Sequence, residues 1–235
     1  MNNLIKETLI LDYNSLVIQD LINSRQWKEL NDVEKVKSIY NFVRDEIKFG
    51  YNSSDDIRAS QVLKDGYGQC NTKSTLLMAL LRAVNIPNRL HGFTIDKALQ
   101  KGAITGIWYE LSPSNILHTW VEIYIEEKWF NLEGVILDKI YLQKLQSINS
   151  HKTATFCGYG VYTDNFLNPP IEWNLNDTYI QDKGINQDFG IFESPDDFYK
   201  KHRQELSFFK KLMYIYIVRH LMNRNVKKIR NRACI

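Results

Sequence analysis

The sequence is short of cysteine, of proline and of charge of one sign, and each shortage closes off a class of protein. Three cysteines in 235 residues, Cys70, Cys157 and Cys234, are odd in number and far apart. They suit neither a disulfide framework nor a paired-cysteine zinc site, and no metal or cofactor is expected. Five prolines and eleven glycines, with no low-complexity tract, argue against extensive disorder. No apolar run approaches the ~20 residues needed to span a bilayer. A formal net charge of +3 is too small to point to nucleic acid. The opening "MNNLIKETLILDYNSL" has acidic residues and no basic start, so no signal peptide is expected and a cytoplasmic location is the default. What is present is ordinary for a globular chain, 44% hydrophobic and 24% charged, with length for one sizeable core.

Helical periodicity leads. Leu16, Ile18, Leu21 and Ile22 predict a first helix. Asn31 can cap a second, with Glu34 three residues on, and Val33, Val36, Tyr40, Val43 and Ile47 form its apolar stripe. Leu76, Leu77, Leu80, Leu81 and Val84 predict a buried helix that Pro87 stops. "NRLHGFTI" reads as a strand, residues 97–116 as a mixed loop, and "HTWVEIYIEEKWFNLEGVIL" as two strands joined at Glu126 and Glu127. "DKIYLQKLQSI" reads as a short helix and residues 151–190 as loops and short strands. Ser194 and Pro195 open a final long helix. Helices followed by antiparallel strands predict an α+β layout.

Within that layout Cys70 stands apart. A free cysteine is commonly a small buried hydrophobe, and Cys157 and Cys234 take that reading. Cys70 lies where the loop "DGYGQ" becomes a helix. Amides there have no partner within the helix and carry partial positive charge, which favours a thiolate. They can also donate to an oxyanion. Gly66 and Gly68 permit a tight turn beside it. A nucleophile needs a base and the base an orienting group. Among five histidines, His202 and His220 fall in a basic terminal helix, His151 follows a loop, and His91 sits within a strand. His118 opens a strand at the mouth of a hairpin. A two-residue turn at Glu126 and Glu127 would pair Ile125 with Lys128, Trp120 with Glu133 and His118 with Val135. His118, Trp120 and Glu133 would then share a face, with Glu133 roughly 7–8 Å from His118 along the diagonal. Glu133 read alone is an exposed strand carboxylate, and Asp138 is the other candidate for the third role.

Together these segments resemble the transglutaminase-like superfamily: "GYGQC" entering a leucine-rich helix, the exit "ALLRAVNIPNRL", then "HTWVEIYIEEKWFNLE", over roughly residues 35–140. "SDDIRASQVLKDGYGQC" upstream resembles the family's approach to its nucleophile. The resemblance implies a transglutaminase-like, cysteine-proteinase-type core with N-terminal helices on an antiparallel sheet. It places Cys70, His118 and Glu133 on the three catalytic positions, with glutamate where aspartate is usual. It implies an upstream side chain as a second oxyanion donor, for which Gln61 and Tyr51 are both candidates. Trp108, Trp120, Tyr159 and Trp173 are candidates to line the pocket, walled by the loops at 97–116 and 151–190. The signatures of papain-like proteases, arylamine acetyltransferases and zinc-bearing peptide N-glycanases are absent, and the chain lacks room for the β-domains of animal transglutaminases. The implied type is compact and microbial, acting on peptide, protein or small amide substrates as protease, deamidase or amide-forming acyltransferase through a thioester.

Residues 199–232 hold eleven Lys and Arg against one acidic residue, Glu205. Interleaved apolar residues allow two readings: a C-terminal helix packed on the domain with a solvated basic face, or a basic amphipathic helix for a membrane surface or acidic partner. The expected division is a catalytic domain at 1–193 and a helical extension at 194–235. The competing function is a non-catalytic binding module on the same fold, with the tail as its contact surface.

Overall fold

One helix, fully enclosed, organises the molecule. The computed structural model describes residues 2–152, 154–204 and 207–232; Cys234, Glu205 and Leu206 lie outside them. In chain order the elements leading to that helix are α1 (Leu16–Ser24), α2 (Asp32–Asp45), β1 (Lys48–Phe49), α3 (Ala59–Asp65) and β2 (Tyr67–Gly68). The enclosed helix is α4 (Cys70–Ala83), and every residue of it except Ala83 is buried. Asn31 caps α2 as expected, its Oδ1 accepting from the Glu34 amide at 3.0 Å. Burial of α4 extends to polar side chains, so each must find a partner. Lys73 Nζ donates to the carbonyls of Arg44 and Ile136 at 3.0 Å each, and its burial pushes the ammonium down to about 7 despite nearby Asp138 and Asp45. Arg82 donates to the carbonyls of Lys6, Asn88 and Glu193. Asn85, with φ of 64°, takes the left-handed conformation that ends α4, two residues before Pro87.

The sheet that faces α4 is antiparallel, in the order β5-β4-β3-β8: β3 (Asn88–Asp96), β4 (Asn115–Ile125), β5 (Lys128–Leu132) and β8 (Ile185–Phe192). Between them lie α5 (Ile107–Glu110), α6 (Lys139–Ile148) and the small hairpin of β6 (Phe156–Gly158) and β7 (Val161–Thr163). Leu117, Val121 and Ile123 of β4 join the core with Leu76, Leu77 and Leu80. The hairpin register is the one the two-residue turn requires: Ile125 opposes Lys128 and Val121 opposes Leu132, with φ of 50° and 60° at Glu126 and Glu127. The ladder stops there, so Trp120 and His118 have no strand partner in the segment after Leu132. That segment turns instead to Thr178, whose carbonyl accepts from the Glu133 amide at 3.1 Å.

The C-terminal region differs from the single helix expected. Helix α7 (Pro195–Lys201) is capped by Ser194 and ends at His202, whose ring stacks on Phe189 and Phe198. The backbone of His202 is itself extended, with φ of −126° and ψ of 117°. A second cap, Ser207, then opens a run of α8 (Phe208–Met213), a π-helical turn at Tyr214–Val218 and α9 (Arg219–Arg230). Met222, Val226 and Ile229 are buried, so the apolar face of α9 packs on the domain. Asp138 caps α6 through the Tyr141 amide and also accepts from the Phe49 amide, while Arg230 pairs with it at 2.6 Å. Asp138 is thus committed to holding α6, β1 and α9 together, and it is not bonded to His118.

Burial alone would raise the Asp138 carboxyl, but Arg230 and the two amides outweigh it and hold it below the usual carboxylate range. A depressed acid contributes stability above its unfolded value, ~4, that is lost as pH falls through the folded value. Asp138→Asn is expected to cost about 3 kcal/mol at neutral pH and to flatten the loss of stability below pH ~4. Urea unfolding of both proteins across that range checks this; parallel pH curves would contradict it.

Candidate active site

Three chain segments meet at the N-terminus of α4. The first brings Cys70 to the first helical position, ahead of which the Gln69 amide donates to Thr72 Oγ1 at 3.1 Å. Gly66, with φ of 69°, ends α3 in the left-handed conformation, and a Cβ on Gly68 would lie 2.7 Å from Thr72 Oγ1. Both glycines are therefore required by the tight approach to Cys70. Cys70 is buried, 6% exposed, yet lines a cavity of about 550 Å³.

The second segment brings His118 from β4. Its ring is fully buried, and Nε2 lies 2.8 Å from Glu133 Oε1. Nδ1 has no hydrogen-bond partner of ordinary geometry. Burial would push the imidazole down, but the charge and hydrogen bond of Cys70, followed by those of Glu133, push it up to about 10. Both neighbours favour the protonated ring.

The third segment brings Glu133, also fully buried. Its second oxygen, Oε2, accepts from the amides of Ile180, Gln181 and Asp182 at 2.7, 2.9 and 3.1 Å. The glutamate arm reaches sideways from the end of β5 and spans the gap between this loop and His118. The 180–182 amides are the feature that sequence reasoning missed; backbone donors leave no residue signature.

The other predicted residues divide. Tyr51 lines the cavity and donates to Gln100 Oε1 at 2.5 Å. Burial, then Tyr141, Tyr214 and Cys70, hold its phenol well above the ordinary value, so it stays a donor. Trp108 also lines the cavity. Gln61 does not: it is exposed on α3 and donates to Asp65 at 2.7 Å. Trp120 is away from the cavity and packs against Phe93, with ring centroids 4.2 Å apart, beside His118. Tyr159 and Trp173 are not in the cavity wall, where the 151–190 region supplies Gln181, whose Oε1 is unpartnered. The 97–116 region does wall it, through residues such as Gln100, Ile104 and Leu111. The opposite wall comes from the C-terminal helices: Met213, Tyr214, Val218 and Met222. These were legible only as apolar residues in an amphipathic tail. His91 is held elsewhere, between Glu122 and Asp188 at 2.7 and 2.9 Å.

Residues 21–134 match the model of the transglutaminase-like superfamily core. This stretch is a transglutaminase-like domain. The matched segment contains Cys70, His118 and Glu133. Among solved structures, a protein provisionally named a cysteine protease from Cytophaga hutchinsonii is similar at 14% identity and a TM-score of 0.44, over 83% of this chain and 47% of that one. Another, provisionally named a protease, from Parabacteroides distasonis, aligns at 16% identity and a TM-score of 0.34, over 52% and 24%. Red sea bream transglutaminase aligns at 16% identity and a TM-score of 0.34, over 95% and 40%. The chain thus spans less than half the length of each. No curated protein matches it.

Glu133→Ala would orphan three amides, two of them buried, at roughly 1–3 kcal/mol for each buried group left unpaired, and is expected to destabilise by at least about 3 kcal/mol. Glu133→Gln keeps a carbonyl for those amides, and a much smaller loss is expected, about 1 kcal/mol. Urea unfolding of the two variants checks the ordering; equal losses would contradict the role assigned to the 180–182 amides.

Proposed function

We propose that this protein is a cysteine-dependent acyl transferase or hydrolase acting on peptide-type amide bonds. Cys70 is the nucleophile, His118 the acid–base and Glu133 the group that orients the imidazole. The reading is carried by the buried His118 ring, which has Glu133 on Nε2 and whose basicity Cys70 and Glu133 raise against the effect of burial.

In the first half-reaction the Cys70 sulfur forms a bond to the amide carbonyl carbon, and the electron pair of the carbonyl moves to oxygen. The amide of Cys70, unpaired within its helix, is the donor assigned to that oxyanion, and the Tyr51 phenol joins it when its one proton turns from Gln100 Oε1. Collapse breaks the carbon–nitrogen bond, His118 gives its proton to the departing amine, and a thioester remains. In the second half, water or an amine loses a proton to His118 and attacks the thioester carbon, and the carbon–sulfur bond breaks to return the Cys70 thiolate beside the protonated imidazole. The acceptor determines whether the outcome is hydrolysis or transfer.

Selective alkylation tests the reading without a known substrate. Cys157 is the internal control: it is exposed, while burial of its thiol and Asp96 push it up. Iodoacetamide labelling at pH 6, read by mass spectrometry, is expected to modify Cys70 faster than Cys157 despite its lesser exposure. His118→Asn is expected to slow Cys70 labelling by about 10²-fold, the low end of a general base's contribution. Labelling of Cys70 no faster than that of Cys157, or unaffected by His118→Asn, would overturn the proposal and favour a binding module.

A further inference from the structure

The C-terminal helical run walls the cavity with its inner face and leaves its outer face uncovered. Phe208, Leu212, Tyr216 and Leu221 are exposed, at 78% for Phe208 and 70% for Tyr216. Their spacing is four, four and five. The step of five falls across the π-helical turn at Tyr214–Val218, and one π turn returns the chain to the same face. The four side chains therefore form one continuous ridge, about 20 Å long at 1.5 Å per residue. Met222, Val226 and Ile229 of the same run are buried in the domain.

Neighbouring residues of the same run border the cavity. Phe209, 70% exposed, and Leu111 of α5, 51% exposed, both line it, and Ile107 of α5 is exposed too. Exposed apolar residues from two separate elements thus surround one opening. Cations accompany them: Lys210, Lys211, Arg224, Lys227 and Lys228 are all exposed along the same run. The only acidic side chain in the sequence after Asp197 is Glu205.

We infer that this face docks on an anionic membrane surface. A convex aromatic ridge requires a partner that yields around it, and the hydrocarbon boundary of a bilayer does so without a matching groove. The lysines and arginines supply the charge complementarity to acidic headgroups. No described helix is long and apolar enough to cross a membrane, and the run lies on the surface, held to the domain by its inner face. Asn223 bonds the backbone of Tyr51 in both directions, at 2.7 and 2.9 Å, and Tyr214 Oη donates to the Asn52 carbonyl. Docked this way, the cavity opens towards the interface. The docking itself does not depend on the chemistry proposed for Cys70.

Co-sedimentation of the full chain with vesicles tests it, using phosphatidylcholine alone and phosphatidylcholine mixed with phosphatidylglycerol. Binding is expected to be at least about tenfold stronger on the anionic vesicles and to weaken with added salt. Phe208→Ser with Tyr216→Ser, and separately Lys227→Glu with Lys228→Glu, are each expected to reduce it by about tenfold. All four side chains are exposed, so the variants should keep the wild-type circular dichroism. Cys70→Ala should bind as wild type, which separates this result from that of the alkylation test. Equal binding to both vesicles, binding to neither, or undiminished binding by Phe208→Ser with Tyr216→Ser would overturn the inference. Capture of an acidic protein with no vesicle binding would likewise overturn it.

Discussion

A buried carboxylate shared between one imidazole and three backbone amides is the interaction on which the site depends. Glu133 has no exposure to solvent, and an isolated carboxylate in such a place would cost several kcal/mol. Four donors, His118 and the amides of residues 180–182, offset that cost and use both oxygens. The arrangement ties a loop more than 45 positions away in sequence to the imidazole. It also explains the position of Glu133 beyond the last rung of the β4–β5 ladder. A residue still in the ladder would have its backbone fixed by strand pairing, whereas Glu133 pairs with the Thr178 segment and brings its side chain to the same loop.

The sheet hairpin was legible because two simple rules combine there. A two-residue turn sets the register, and alternation along a strand assigns the faces. Capping made α2 legible, and the leucine periodicity made α4 legible. The transglutaminase-like core over residues 21–134 follows the order of motifs read in the chain. Where reading failed, the cause was a contact without a side-chain signature. Backbone donors at 180–182 look like any loop. Strand β8 has a mostly exposed or half-exposed pattern and so lacks clean alternation. The helix expected from Ser194 onwards stops before His202, whose ring stacks on Phe189 of β8, a contact that the sequence does not display. Gln61 and Asp138 were plausible by proximity in sequence alone. The first faces solvent, and the second is bound to Arg230 and two amides.

The C-terminal run serves both the cavity wall and the outer surface. It closes one side of the Cys70 cavity with Tyr214, Val218 and Met222, and Arg230 reaches the Phe49 carbonyl at 3.0 Å next to Tyr51. Its removal would therefore disturb more than a surface. The backbone that presents Tyr51 is held by Asn223, and the same helix carries the exposed ridge. The shape of the cavity and the character of the outer face are properties of one amphipathic element.

The charge state of His118 tests the account most directly. The account predicts that nitrogen-15 chemical shifts show both ring nitrogens protonated in the wild-type protein at pH 8, well above the pH at which a free imidazole has lost its charge. It also predicts that the ring titrates at lower pH once Cys70 is replaced by alanine. A neutral His118 ring at pH 8 in the wild-type protein would contradict it.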